Sequence, residues 1–371
     1  MRSKHKENGL PATINKGNVV ASTNAEKCEL FAEHFATVFS PRNHAEIDPQ
    51  CLENVPLDVV DLDTFHISED MLLKALRKLK SSFTPGPDGV PTVFMKKCSQ
   101  DIKTPLMKIL NLSMQQARFP SEWKKSIMFP VFKKGKKQFV ENYRGITSLC
   151  AGSKVLELVV SDYIMFNCHS HISTQQHGFM PGRSVDTNLM EFTSLCFDVI
   201  SRGNQVDAIY TDLKAAFDRI DHDIALKKFK KLGFSTRLCS WLESYLKQRK
   251  LQVKIGTTLS QEFTNYSGVP QGSNLGPIMF ILFFNDATNL FTGSYKLVYA
   301  DDFKMYAEVK SLADCVTLQS RLEQFATWCI VNRMTLSVEK CVTISFTTKL
   351  AAKPTIITTR SLDTRWSVLK P

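Results

Sequence analysis

Two adjacent carboxylates, Asp301 and Asp302, break the otherwise apolar stretch "KLVYADDFKMYAEV", Lys296 to Val309. Leu297, Val298, Tyr299, Phe303, Met305 and Tyr306 are the β-branched, aromatic and apolar types that pack a sheet, whereas Asp is among the poorest strand formers. Neighbouring carboxylates repel each other, and each is costly to bury without a partner. A hairpin that turns at the Asp pair resolves the conflict. Its arms enter a sheet, and the carboxylates stay at the sheet's edge.

The chain has 371 residues, 43% of them hydrophobic, enough for a large core and more than one lobe. A formal net charge of +11 favours a polyanionic partner such as nucleic acid. An anionic membrane surface is the rival, but no basic amphipathic anchor stands out. No apolar run approaches a membrane span, and "MRSKHKENG" leads into no signal-peptide core. The expectation is an intracellular chain, not secreted. The ten cysteines are scattered singly, which argues against a disulfide scaffold and a structural zinc site. Cys168, His169 and His171 cluster without a second half, and read as a helix end or loop.

Along the chain, Leu30, Phe31, His34, Phe35 and Val38 recur at the spacing of a docking helix. "SEDMLLKALRKLK" is a second helix opened by Ser68 and Glu69, and "SSFTPGPDGVP" is a rigid bend. Ile127, Phe129, Val131 and Phe132 read as a strand that turns at "KKGKKQ" towards Tyr143 and Ile146. Lys124, Lys125, Lys133, Lys134, Lys136, Lys137 and Arg144 make this hairpin basic, as a solvated loop or a phosphate-binding face. A second basic group comprises Lys227, Lys228, Lys230, Lys231, Lys247, Arg249, Lys250 and Lys254. Two such patches suit a groove that follows a phosphate backbone.

Ala208, Ile209 and Tyr210 form a short strand that ends at Asp212, after which "KAAFDRIDHDIALKKF" takes up helical spacing. Asp212 can face a cleft or cap that helix. Asp218, Asp221 and Asp223 follow, so carboxylate abundance decides nothing. Gly268, Pro270, Gly272 and Gly276 make a turning loop before the apolar helix "PIMFILFFNDA". The loop either admits a ligand close to its backbone or is a surface turn. If the strand of Asp212 lies beside the Asp301–Asp302 hairpin, the carboxylates converge, and divalent cations relieve their repulsion. Hard oxygen ligands suit Mg²⁺ bound jointly with substrate phosphates. Two such ions about 3.5–4 Å apart activate an attacking hydroxyl and stabilise the pyrophosphate leaving an in-line displacement. A structural Asp-Asp turn is the plainer reading.

Five motifs in chain order carry a resemblance: "FKKGKKQFVENYRGITSL", "HGFMPGRSVDTNL", "TDLKAAFDRIDH", "GVPQGSNLGP" and "YADD". Together they resemble the reverse transcriptases of non-LTR (LINE-type) retrotransposons, from roughly Ser81 to Phe346. The resemblance implies an α/β (α+β) right-hand polymerase with fingers and palm, the antiparallel palm sheet backed by helices, and the thumb truncated or absent. It implies Asp212, Asp301 and Asp302 as metal ligands and Phe217 as the bulky residue that excludes a ribose 2′-hydroxyl. Gln271 and Gly272 match the loop against nucleotide and template, and Arg144 with Lys133 or Lys134 the triphosphate contacts. Gly182 and Arg183 match a segment near the template.

"FATWCIVNRMTLSVEKCVTISF" resembles the motif after the Asp pair, with Lys340 as the proton donor to departing pyrophosphate and Ser337 where the family usually has Asn. The implied divisions are a helical extension or linker at 1–66, fingers and the start of the reverse transcriptase domain at 67–205, and palm at 206–348. Residues 254–270 form a fingers–palm connection, and 349–371 a divergent tail or thumb remnant. The preceding segment does not match the endonuclease of full elements, so nicking of target DNA is not expected. The implied activity is RNA-directed DNA polymerisation with two Mg²⁺ ions, Mn²⁺ as substitute, an RNA template, a DNA or RNA primer and deoxynucleoside triphosphates. The implied location is cytoplasm and nucleus, as a ribonucleoprotein; no oligomeric state is implied. The alternative is a catalytically silent, truncated remnant that only binds nucleic acid.

Overall fold

The computed structural model describes residues 9–41, 46–290 and 295–348. The expected tail at 349–371 lies outside the described residues. β1 (Ile14–Lys16) and β2 (Val19–Ala21) pair antiparallel ahead of α1 (Asn24–Val38), which a Thr23–Glu26 capping box opens. Its Leu30, Phe31 and Phe35 pack with Met128, Tyr143 and Val253, the docking role its spacing predicts. α2 (Glu69–Lys78) starts where the sequence indicates, the Ser68 hydroxyl accepting the Met71 N–H at 3.3 Å. α3 (Thr92–Lys97) and α4 (Ser99–Gln115) follow the bend.

β3 (Lys125–Phe132) and β4 (Tyr143–Leu149) form the basic hairpin. The strand stands where expected, with Ser126, Met128 and Pro130 buried and Val131 and Phe132 exposed. The reason is cover. α1 packs over the Met128 side, and Phe132 lies against Tyr143 near the turn. α5 (Ala151–Cys168) ends in a 3-10 turn at His169–His171, the helix end expected there. α6 (Val185–Ser201) precedes β5 (Gln205–Thr211).

The single helix suggested after Asp212 is two, α7 (Ala216–Arg219) and α8 (His222–Lys231). Asp221 breaks it by capping α8, accepting the N–H groups of Asp223 and Ile224. α9 (Thr236–Leu246) leads to β6 (Lys250–Ile255), β7 (Thr258–Leu259) and β8 (Phe263–Thr264). The remaining elements are α10 (Gly276–Phe284), β9 (Tyr295–Tyr299), β10 (Asp302–Val309), α11 (Leu312–Val331) and β11 (Val342–Phe346). A mixed sheet has the order β4-β3-β6-β7, with β8 also on β6 and β3 parallel to β6. The second sheet, β11-β5-β10-β9, is antiparallel throughout.

This second sheet is covered on both faces, which explains the near-continuous burial of β5. Ile209, Phe303 and Met305 join the main core with Phe284 of α10 and Phe325 of α11. Val206, Ala208, Leu297 and Tyr306 pack under Phe192, Cys196 and Val199 of α6. Each large apolar side chain buried in these layers contributes about 1.5–3 kcal/mol. Among the described residues, no helix is long and apolar enough to cross a membrane.

The second basic group does not form one patch. Lys228 is fully buried and ion-paired to Asp286 at 2.7 Å, and Arg249 is buried against the Tyr245 carbonyl. Lys231 donates to the Leu52 carbonyl, Lys247 pairs with Asp223 and Glu243, and Lys250 pairs with Glu262. Helical periodicity turns some of these cations inward, where each takes a fixed partner.

Candidate active site

The β5–β10 ladder runs from Gln205 opposite Val309 to Thr211 opposite Phe303. The next residue on each strand is a carboxylate, Asp212 after β5 and Asp302 at the start of β10. Asp302 also pairs with Tyr299 of β9, so Ala300 and Asp301 alone close the β9–β10 turn. Ala300 has φ of 58°. A two-residue hairpin needs positive φ at its first central position, and a residue with a Cβ is strained there by about 1–2 kcal/mol. The arrangement anticipated from the spoiled strand is the one found: apolar arms in the sheet, carboxylates at its edge.

Burial holds the Asp301 carboxyl above the usual carboxylate range; the charges of Asp302 and Asp212 add to this, and Lys133 opposes it. Asp302 is raised in the same way, by burial and then by Asp212, again against Lys133. The three carboxylates therefore share one field, and a cation from the β3–β4 turn reaches it. The Lys340 ammonium donates to Asp212 Oδ2 at 2.9 Å. It is carried by the segment after α11, where the N–H of buried Ser337 donates to the Asp212 carbonyl at 2.7 Å. The loop holding Ser337 thus lies directly against the end of β5. Among the described residues, no three His, Cys, Asp or Glu side chains close into a metal-holding set. As a donor set, mutually repelling, partly buried carboxylates nevertheless suit a hard divalent cation.

The other sequence-derived residues each have contacts of their own. Phe217 is half-buried, stacked on Phe280 at 4.4 Å and edge-on to Phe179 at 6.1 Å. The Gln271 carbonyl accepts the Thr147 N–H of β4 at 2.9 Å, joining the loop to the mixed sheet. Gly272 has φ of 105°, and a Cβ there would lie 2.8 Å from the Thr147 carbonyl oxygen, so only glycine fits. Lys134 and Arg144 are exposed on the basic hairpin. Gly182 sits in a left-handed turn with φ of 73°. The Arg183 guanidinium is directed inward, donating to the carbonyls of Ser173, Thr174 and Gln176, and so shapes the loop it belongs to.

Two residues escape sequence reasoning. The buried Asp218 carboxylate accepts Nε2 of Gln271 at 2.5 Å, and burial pushes its pKa up to about 7. Buried Gln176 bonds the backbone of Ala300 through its side chain. The signal for Asp218 is its spacing: it stands beside Phe217 on a short helix that must pack inward. Gln176 has no such signal, because a lone Gln in a loop gives no periodicity to read. A separate cavity of about 840 Å³, lined by Ile109, Arg118, Phe119, Lys124 and Lys250 among others, contains none of the carboxylates. The chemistry is therefore placed by the carboxylates rather than by cavity size.

Residues 131–361 match the family described as Reverse transcriptase (RNA-dependent DNA polymerase). The chain is 26% identical over 90% of its length to the "Probable RNA-directed DNA polymerase from transposon BS" of Drosophila melanogaster. It is 25% identical over 92% to the "RNA-directed DNA polymerase from mobile element jockey" of Drosophila funebris. It is 24% identical over 90% to the "Probable RNA-directed DNA polymerase from transposon X-element" of Drosophila melanogaster. It spans 38% of the length of each of these relatives. With the motifs in register and the carboxylates brought to one sheet edge, the chain belongs to the reverse transcriptase (RNA-dependent DNA polymerase) family.

Proposed function

We propose that the chain is the polymerase portion of an RNA-directed DNA polymerase of the non-LTR (LINE-type) kind. It would add deoxynucleotides to the 3′-hydroxyl of a DNA or RNA primer on an RNA template. The observation that carries this reading is the β5–β10 register, which brings Asp212 beside the Asp301–Asp302 turn. In this reading the antiparallel sheet and its helices, 206–348, are the palm, and 67–205 with the 254–270 connection are the fingers. Residues 1–66 are a helical extension or linker, of which α1 packs on β3, β4 and β6.

Asp212, Asp301 and Asp302 would hold two Mg²⁺ ions, or Mn²⁺ in their place. The ions, when bound, supply activation of the primer hydroxyl and charge stabilisation at the departing pyrophosphate. The chain's own residues do the positioning. Phe217, fixed by its stack on Phe280, bars a 2′-hydroxyl by its bulk. Gln271 and Gly272 form the wall against the incoming nucleotide, and Arg144, Lys133 and Lys134 bind the triphosphate. Lys340, held at Asp212, is placed to give a proton to the leaving pyrophosphate. Gly182 and Arg183 shape the loop that faces the template. The working location would be cytoplasm and nucleus, in a ribonucleoprotein.

The test is extension of a labelled DNA primer on an RNA template with deoxynucleotides and Mg²⁺. The native chain is expected to extend, and Asp301→Asn to lose more than about 100-fold, exceeding the usual effect of changing a group one step removed from a metal. Binding of primed template without extension by either protein would replace this reading with that of a silent nucleic-acid-binding remnant.

A further inference from the structure

The hairpin turn that carries Asp301 is gripped from behind by a single side chain. Gln176 is buried, 3% exposed, in the loop between α5 and α6. Its Oε1 accepts the N–H of Ala300 at 3.0 Å and that of Gly178 at 2.8 Å, while its Nε2 donates to the Ala300 carbonyl at 3.4 Å. Both polar groups of Ala300 are thus bonded to one amide. Ala300 is also the residue with φ of 58°, a conformation that a residue with a Cβ adopts reluctantly. The turn is constrained where it is least comfortable.

The loop around Gln176 is built to keep that amide in place. The Val298 N–H donates to the Gln175 carbonyl at 3.0 Å, and the His177 N–H to the Val298 carbonyl at 2.9 Å, so the segment runs beside β9 as a short parallel bridge. Arg183 binds the carbonyls of Ser173, Thr174 and Gln176 from the other side. Gly178 allows the close approach, since a Cβ there would lie 2.3 Å from the Ala300 nitrogen. An apolar side chain would fill the space of Gln176 equally well. The amide is required for what it bonds.

We propose that Gln176 is a positioning residue for the polymerase carboxylates. It holds the Ala300 peptide in its left-handed form, and so fixes the direction in which the next residue, Asp301, presents its carboxylate. The inference rests on the polymerase reading for its effect on rate, but its structural half stands without it. Gln176 touches no reacting atom and acts through Ala300.

The experiment compares the full chain with Gln176→Met, which keeps the volume and removes both bonds to Ala300, and with Gly178→Ala, whose added Cβ would press on the Ala300 nitrogen. Two readouts are taken: backbone amide exchange across residues 295–303, and primer extension with varied deoxynucleotide and Mg²⁺. Both variants are expected to fold, to exchange faster at the turn, and to lose about 30–100-fold in kcat, with KM for deoxynucleotide changed less than about threefold and more Mg²⁺ needed for half-maximal rate. Adding Ala300→Gly to Gln176→Met is expected to recover part of the rate, because glycine takes positive φ without strain. A side chain needed only for general stability would not be rescued in this way. Native exchange and native kcat in Gln176→Met overturn the proposal. Should that variant not fold, the same native result in Gly178→Ala overturns it. Absence of extension by the native chain itself refutes the polymerase reading, and the exchange data then still decide whether Gln176 holds the turn.

Discussion

The β3–β4 turn and helix α8 are both rich in lysine, yet one cation of the helix, Lys228, stands in the opposite situation to those of the turn. Around the turn, Lys133, Lys134, Lys136 and Arg144 are exposed, and among the described residues no ion pair joins them to a carboxylate. On α8, Lys228 occupies the apolar stripe of Ile224, Ala225, Phe229 and Leu232, and is buried with Asp286, the Phe283 carbonyl and the rings of Phe283 and Trp328. The difference shows that a run of positive residues is not one kind of feature. The phase of a lysine against the helix period decides whether its charge faces water or must find a partner inside.

The largest effect should come from the buried pair. Asp286→Ala leaves the Lys228 ammonium in the core without its counter-ion, and is expected to lower unfolding free energy by about 3–5 kcal/mol in chemical denaturation. Lys228→Met combined with Asp286→Leu should restore most of it. A loss below about 1 kcal/mol for Asp286→Ala would erase the distinction between the two regions.

Asp218 gives the interior a pH signature. Burial pushes its carboxyl up to about 7, whereas in the unfolded chain it ionises near 3.9. The folded state therefore keeps a proton that the unfolded chain releases. Its contribution is complete below pH about 4 and is lost as pH rises through about 7, with a slope of about 1.4 kcal/mol per pH unit between. Asp218→Asn should flatten the dependence of stability on pH across that window by this amount, as measured by urea titrations at several pH values. An unchanged slope would mean that the carboxyl is ionised when folded.

The smallest effect on stability belongs to the exposed cations. Lys134→Ala should change stability by less than about 0.5 kcal/mol. It should also reduce the slope of log affinity against log salt for a primed template by about 1. Lys247→Ala, whose ammonium is held by Asp223 and Glu243, should leave that salt slope as it was. Equal salt effects from the two variants would put the end of α9 on the nucleic acid as well as the turn.

Much of the frame was legible in the sequence because it rests on periodicity and turn chemistry. The helices α1, α2 and α10, the strand before Asp212 and the hairpin at the Asp pair all carry those signals. The inward face of β3 carries no such signal, because cover decides it: α1, far upstream, packs on Met128 and leaves Val131 outside. The division of α7 from α8 was missed because one side-chain cap at Asp221 outweighs continuous helical spacing. At the site, the carboxylates announce themselves, as strand-breaking residues must. Gln176 and Asp218 do not, since what distinguishes them is a partner distant in sequence, Ala300 for one and Gln271 for the other.

The order of strands in the antiparallel sheet has a consequence for how the protein is made. β5 is central, between β10 and β11, and both neighbours lie downstream of it. On a ribosome adding about 5–20 residues per second, β5 emerges several seconds before either flank exists. During that interval it is a strand with two open edges, ending in an acidic residue whose ammonium partner has yet to be translated. Nascent chains of this protein should therefore engage holding chaperones at the stage when β5 is out and β10 is not.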